Sequence, residues 1–224
     1  VTLVAGAAIA FALSVAAVEV YDAVTDTSGV AGIDRPALLY ALTLRTPVLD
    51  ATVTAFTDIA GTVGMPVIAV GALLVLSLKR RSWTPVVLIV AAGGGSLLMT
   101  VAGKDLIRRE RPPLTDAVPP YEYSPSFPSG HTLNAVAVIG IIAYLLVLRR
   151  NSPGARAAII VGAIVFAILV GLSRVYLGHH WFTDVLVGWI LGALWLSLII
   201  TAHRLYLSIQ EHRHPQLATD PHEP

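Results

Sequence analysis

The stretch AAIIVGAIVFAILVGLSRVYLGHHWFTDVLVGWILGALWLSLIITA, residues 157–202, decides the fold class. Two apolar runs, Ala157 to Leu172 and Val185 to Ala202, flank a polar hinge from Ser173 to Asp184. An apolar helix needs ~20 residues to cross a ~30 Å hydrocarbon core, and both runs approach that length. The segment therefore reads as a helical hairpin that crosses a bilayer twice and turns at one surface. Working outward, four more apolar blocks precede it: Val1 to Val18, Ile59 to Leu78, Trp83 to Gly103 and Thr132 to Leu148. The expectation is an all-α, polytopic membrane helix bundle with six transmembrane helices, a single domain over 1–224, with 19–58 as an outer loop segment and 205–224 as a cytoplasmic tail.

Composition points the same way. The 224 residues are 55% hydrophobic and 13% charged, with a mean hydropathy of +0.74, and a soluble domain carries about twice that charged fraction, ~25%. A soluble globule, a disordered chain and a fibrous repeat are excluded. Fifteen Lys and Arg against fourteen Asp and Glu leave a net charge of +1, so no basic field points to nucleic acid as a partner. The chain has no cysteine, which excludes disulfides, Cys-ligated metals and thiol nucleophiles. The first block has the length of a signal peptide, but without a basic flank it is expected to be a retained helix.

Six crossings place Lys79 to Ser82, Arg149 to Arg156 and the tail on one side, and the other connectors opposite. The first set holds eight bases (Lys79, Arg80, Arg81, Arg149, Arg150, Arg156, Arg204, Arg213) and the second seven (Arg35, Arg45, Lys104, Arg108, Arg109, Arg111, Arg174). Short base-rich turns carry the orientation signal, and both turns of the first set are short. Lys104, Arg111 and Arg174 have a chemical reason to lie opposite, which leaves eight against four. Both termini are thus expected in the cytoplasm. Gly93-Gly94-Gly95-Ser96 lacks the flanking strand and Gly-Lys-Ser/Thr of a phosphate loop and reads as close helix packing. Pro66 and Pro85 fit first-turn or kink positions. The tail histidines His212, His214 and His222 have no ordered scaffold on which to hold a metal.

Ionisable residues beside membrane helices are costly and tend to be functional. Three clusters share one side by parity: Lys104 to Pro112 after the third block, Pro128-Ser129-Gly130-His131 before the fourth, and Ser173 to Asp184 in the hinge. Lys104 and Arg111 lie seven apart, two helical turns, and with Arg174 can surround a tetrahedral oxyanion by charge-assisted hydrogen bonds. Ser129 and Gly130 open a helix, whose unpaired N–H groups attract an anion. Together these make a phosphate site. Arg108 and Arg109 are accounted for as interfacial bases snorkelling to headgroups. His180 and Asp184 are four apart, so the carboxylate can orient one imidazole nitrogen and leave the other as a nucleophile or base. His179 has Thr183 at that offset and reads as a supporting residue. Zinc is the competing use of paired histidines, but no third ligand is spaced for it and three cations stand nearby; no metal is expected.

Lys104-x6-Arg111-Pro112, Pro128-Ser129-Gly130-His131 and Ser173-Arg174-x5-His180-x3-Asp184 resemble the three-part signature of the type 2 phosphatidic acid phosphatase (PAP2) superfamily. The six apolar blocks resemble its membrane branch and disfavour its soluble relatives, the acid phosphatases and vanadate haloperoxidases. The resemblance implies catalysis by His180, His131 and Asp184, phosphate binding by Lys104, Arg111, Ser129, Gly130 and Arg174, and no cofactor. His180 would form a phosphohistidine, Asp184 would hold its tautomer, and His131 would protonate the leaving oxygen and then help activate water. It also implies a lipid phosphate or diphosphate as substrate among membrane lipids, at the outer face of a bacterial cell membrane. A lipid phosphotransferase using the same intermediate and a six-helix anion transporter are the alternatives; clustering at one interface rather than at the midplane speaks against transport. The Pro-rich loop 112–128, with Tyr121, Tyr123 and Phe127, is either a lip over the site or a stiff connector, and Asp58 either pairs with a cradle base or marks the membrane boundary.

Overall fold

The computed structural model describes residues 2–26 and 29–213. Eight helices follow one another: α1 Thr2–Thr25, α2 Asp34–Thr43, α3 Pro47–Asp58, α4 Gly64–Arg80, α5 Thr84–Ile107, α6 Gly130–Val147, α7 Pro153–Tyr176 and α8 Phe182–Arg213. Short 3₁₀ turns occupy Gly29–Ile33 and Leu114–Asp116. Five helices (α1, α5, α6, α7 and α8) are long and apolar enough to cross a membrane, and the apolar α4 is shorter. At 1.5 Å per residue its 17 residues rise about 25 Å, the low end of what a bilayer accepts. The chain is an all-α membrane bundle.

The helices outrun the apolar blocks at several ends, because hydropathy marks what lies in lipid and hydrogen bonding marks what is helical. α1 continues to Thr25, and α8 continues past Ala202 to Arg213; residues 214–224, with His214 and His222, lie outside the described part. The largest difference concerns 19–58, expected as a loop. It holds α2 and α3, mounted across the end of the bundle, with α2 touching α7 and α8 and α3 touching α7. α3 opens with Pro47 in its first turn and with the Thr46 side chain accepting from Leu49 N at 3.2 Å. Helices ten and twelve residues long are too short to cross, which is why a search for membrane-length runs passed over them. The second block starts late for a related reason: Ile59 and Ala60 close α3, and α4 begins at Gly64.

Large apolar side chains face outward along the shafts, among them Val67, Leu78, Leu98 and Val161, as lipid rather than water requires. Inside, Leu88, Ile89 and Ala92 of α5 pack with Ile141 and Leu145 of α6 and Ile199 of α8. A second cluster joins Ala60, Met65, Ala135, Val138, Ala167 and Val170. Of the four small residues in α5, Gly95 meets the Trp195 ring, where a Cβ would collide, and Ser96 donates to Asn134, whereas Gly93 and Gly94 meet nothing and face outward. α6 contains one π turn, Ala135–Ile139, directly below its first turn; such bulges recur beside functional sites. Asp34, Ser126, Ser129, Arg174, His179, His180, Thr183 and Asp184 are all buried, and the elements that carry them meet at one end of the bundle.

Candidate active site

Four helix ends converge on a cavity of about 780 Å³: the C-termini of α3, α5 and α7 and the N-terminus of α6. Lys104, Gly130, His131, Arg174 and His180 line it, together with Thr57 and Asp58 of α3. The turn from α7 into α8 sets the histidines. After Tyr176 the chain reverses so that both His179 N and His180 N donate to the Arg174 carbonyl, at 3.0 and 3.2 Å. Gly178 makes the reversal possible: its φ is +70°, and a Cβ there would collide with the Asp116 carbonyl. Arg45, from the α2–α3 turn, caps the end of α7 by donating to the Tyr176 carbonyl at 2.7 and 3.1 Å.

Asp184 is fully buried one turn into α8. Its Oδ2 accepts from Trp181 N at 2.9 Å and lies 3.4 Å from His180 Nδ1. On the other side of the ring, Arg111 Nη1 is 3.3 Å from His180 Nε2. A guanidinium only donates, so Nε2 turns its lone pair towards Arg111 and Nδ1 carries the proton on the Asp184 side. Burial first, then the Arg111 and Arg174 charges, push the His180 imidazole well below its ordinary value, which favours the neutral ring. His179 differs. Its Nε2 donates to the Val118 carbonyl at 2.7 Å, tying the 112–128 loop to the hinge, a supporting role as expected.

The cations are gathered, with one addition that the sequence reading missed. Glu122, from the 112–128 loop, bridges them: Oε2 lies 2.7 Å from Arg111 Nη2, Oε1 accepts from Arg174, and His179 Nδ1 is 3.8 Å from Oε1. Burial works to raise this carboxyl, but Arg174 and Arg111 outweigh it and bring it down to about 2. Lys104 Nζ donates to Ser124 Oγ at 2.7 Å, and Arg111 Nε to the Ser124 carbonyl at 2.7 Å. Arg111 thus stands behind Glu122 and beside His180 rather than on the cavity wall. Ser129 is likewise set back: its hydroxyl accepts from Thr132 at 2.9 Å and its N–H donates to the Asp184 carbonyl at 3.1 Å. Gly130 and His131 are the parts of that motif that reach the cavity. Tyr121 and Tyr123 are exposed and line the mouth, whereas Phe127 is buried against Val20, Val24 and Val187, so the loop is both lip and anchored connector.

Arg109 requires a correction. Expected to reach for lipid headgroups, it turns inward and donates to Asp184 Oδ1 at 2.5 Å, Thr183 Oγ1 at 2.8 Å and Asp34 Oδ2 at 2.7 Å. Two buried carboxylates attract it more strongly than a solvated interface does. Arg108 stays exposed, with Nε donating to the Asp105 carbonyl at 3.1 Å. Neither Glu122 nor Asp34 stands in a motif, and no local pattern in the sequence marks them. Among the described residues no His, Cys, Asp and Glu group is arranged to hold a metal.

Comparison with known proteins matches residues 82–206 to the PAP2 superfamily. The chain is 37% identical over 177 residues to phosphatidylglycerophosphatase B of Bacillus subtilis, covering 77% of this chain and 84% of that protein. It is 42% identical over 80 residues to an undecaprenyl-diphosphatase of Sulfolobus acidocaldarius, 36% of this chain and 33% of the other. The crystal structure of the transmembrane PAP2-type phosphatidylglycerolphosphate phosphatase of Bacillus subtilis superposes with a TM-score of 0.81 at 30% identity, over 88% of this chain and 96% of that one. LpxE of Aquifex aeolicus shares the fold, with a TM-score of 0.60 at 22% identity over 75% and 94% of the chains. With its helical membrane bundle and its cations and histidines gathered at one end, this chain belongs to the PAP2 superfamily, as a phosphoric ester hydrolase of the integral-membrane lipid phosphatase branch.

Proposed function

We propose that the protein hydrolyses the phosphomonoester or diphosphate headgroup of a membrane lipid through a phosphohistidine on His180. The observation that carries this reading is the three-part setting of His180, with Asp184 at Nδ1, Arg111 at Nε2 and the ring on the cavity wall. In the first step His180 Nε2 forms a bond to phosphorus as the phosphorus–oxygen bond to the lipid breaks, and His131 protonates the leaving oxygen. In the second step water, deprotonated by His131, attacks phosphorus and the nitrogen–phosphorus bond breaks, releasing phosphate. Asp184 compensates the imidazolium charge of the intermediate. Lys104, Arg111, Arg174 and the Gly130 N–H hold the equatorial oxygens, where charge persists through the transition state, and Ser129 fixes the turn that presents Gly130. The incoming phosphate and Glu122 compete for Arg111 and Arg174, so binding requires Glu122 to withdraw with its loop.

Val63 and Leu97 both line the cavity and are exposed on the lipid-facing side, which supports a substrate whose acyl or prenyl chain lies between α4 and α5. Phosphatidylglycerol phosphate is the favoured headgroup because the relative that acts on it matches most of the chain; undecaprenyl diphosphate and phosphatidic acid are next. The proposed topology places the site on the extracytoplasmic side and both termini in the cytoplasm. Arg45 and Arg109, besides the three cradle cations, now have partners at the site end, so Arg35 and Arg108 stand against eight bases at the other. Phosphate release from the three lipids, with His180→Ala as the blank, tests the reading. Release by wild type without added alcohol supports hydrolysis over phosphotransfer, and wild-type turnover by His180→Ala would overturn the phosphohistidine. Because the chain lacks cysteine, a single Cys at Asn151 labelled from one side tests the topology.

A further inference from the structure

Behind the cavity, on the side of Asp184 away from His180, the side chains of Asp34, Arg109 and Thr183 close a ring, and Arg109 joins it to Asp184. Asp34 opens α2 and is 5% exposed. Its Oδ1 accepts from the backbone N–H of Thr183 at 2.8 Å, and its Oδ2 accepts from the Thr183 hydroxyl and from Arg109, each at 2.7 Å. Arg109 Nη1 donates to Thr183 Oγ1 at 2.8 Å and to Asp184 Oδ1 at 2.5 Å. Thr183 and Asp184 are both fully buried in the first turn of α8, where N–H groups lack helical partners and a carboxylate is favoured. Each oxygen of Asp184 thus has its own task. Oδ1 is taken by Arg109, and Oδ2 is left for Trp181 N–H and His180 Nδ1.

The two carboxylates share one guanidinium, which offers separate nitrogens to each. Without Arg109, Asp184 would be a fully buried carboxylate with no cation on Oδ1, left with Trp181 N–H, Ser126 and the imidazole, and its plane would be less firmly held against His180. Without Asp34, the second arm of the fork would lose its anchor and Arg109 could follow the short surface path that Arg108 takes. α2 and the turn that follows α5 thereby act together on His180 through the start of α8.

Resting on the phosphohistidine reading above, we propose that Asp34 and Arg109 are positioning residues for the reaction: Asp34 fixes the Arg109 fork, and the fork aims Asp184 at His180 Nδ1. Neither touches substrate. They act through Asp184 alone, so their loss lowers kcat and leaves KM in place, and it adds little once Asp184 has itself been neutralised.

The test uses the full chain in detergent, with dioctanoyl phosphatidic acid as the probe, and measures kcat and KM for Arg109→Gln, Arg109→Lys and Asp34→Asn, alone and combined with Asp184→Asn. Arg109→Gln is expected to lose roughly ten- to a hundredfold in kcat, as displaced supporting groups do, with KM within about twofold. Arg109→Lys, which keeps the charge but not the fork, recovers part of the loss. In the Asp184→Asn background the same changes cost less than about twofold. Asp34→Asn, near-isosteric with the natural residue, carries the same comparison where Arg109→Gln fails to fold. Wild-type kcat in folded Asp34→Asn and Arg109→Lys, or losses that multiply with Asp184→Asn, would overturn the proposal. His180→Ala run alongside separates the two claims: activity there removes the phosphohistidine reading, whereas its inactivity together with unimpaired Asp34→Asn and Arg109→Lys removes this inference alone.

Discussion

His180 stands between two arginine–carboxylate clusters built from the same chemistry. On the cavity side, Arg111 and Arg174 hold Glu122; on the buried side, Arg109 holds Asp34 and Asp184. The anions differ in their mounting. The Glu122 side chain is 29% exposed on an irregular loop, whereas those of Asp34 and Asp184 are 7% and 0% exposed at helix starts. Arg111 and Arg174 are themselves buried, at 8% and 2% side-chain exposure, so the two sides differ in the loop mounting and partial exposure of Glu122, while one partner removed from the Arg109 cluster leaves an uncompensated charge. The cavity-side cluster is therefore suited to surrender its carboxylate to a phosphate, and the buried cluster to keep its geometry through turnover. Asp184 belongs to the second cluster and reports to the first only through the imidazole.

Removing the ring that joins the two clusters gives the largest effect: His180→Ala is expected to abolish phosphate release in detergent, measured colorimetrically at saturating lipid. Breaking the buried side follows. Asp184→Asn should keep the fold and lose roughly 10²- to 10⁴-fold in kcat, as in other sites where the orienting carboxylate is neutralised; a loss below about tenfold would mean that Arg111 alone sets the tautomer. On the cavity side the change should appear in affinity. Arg174→Lys, which gives up the fork that reaches Thr57 and Glu122, is expected to raise KM more than it lowers kcat, because a point charge replaces paired donors.

Glu122→Gln should do the opposite on that side. With the competing anion gone, KM and the inhibition constant of inorganic phosphate should both fall about fivefold, the equivalent of ~1 kcal/mol. Unchanged inhibition by phosphate would show that Glu122 does not occupy the phosphate position. The smallest effect is on stability against pH. Glu122 is held at about 2, below the ~4.3 of a free glutamate, so its contribution is full above ~4.3 and is lost as pH falls from there through about 2. His180, buried and beside Arg111 and Arg174, is held well below the ordinary histidine value. The unfolded chain therefore takes up a proton below ~6.5 that the folded chain refuses. Both signs agree. Thermal unfolding in detergent should shift to lower temperature as pH is lowered from 7 towards 3, and Glu122→Gln should flatten that dependence below about pH 4.

Legibility in the sequence followed the range of the interaction. His180 and Asp184 are four apart and Lys104 and Arg111 seven apart, so spacing suggested both pairs, although neither shares a helix: α8 begins at Phe182, after His180, and α5 ends at Ile107, before Arg111. Parity of the crossings then placed His131 and Arg174 at the same end. Arg109 misled because a base next to a membrane helix has an ordinary explanation, and its partner Asp34 is 75 residues away. α2 was invisible for the same reason that it matters, being too short to span and serving to bring one carboxylate across the end of the bundle. Glu122 lies in a loop without period, 52 residues from Arg174.

By itself, the sequence determined that the chain is an apolar helical bundle of a membrane and which ionisable residues gather at one end of it, since transfer of apolar length and exclusion of charge from lipid are properties of the chain read in order. Tertiary structure alone decided which carboxylate each arginine takes. That choice depends on burial and on distances between segments remote in sequence, and it separates the carboxylate beside His180 Nδ1 from the one held by Arg111 and Arg174 at the cavity.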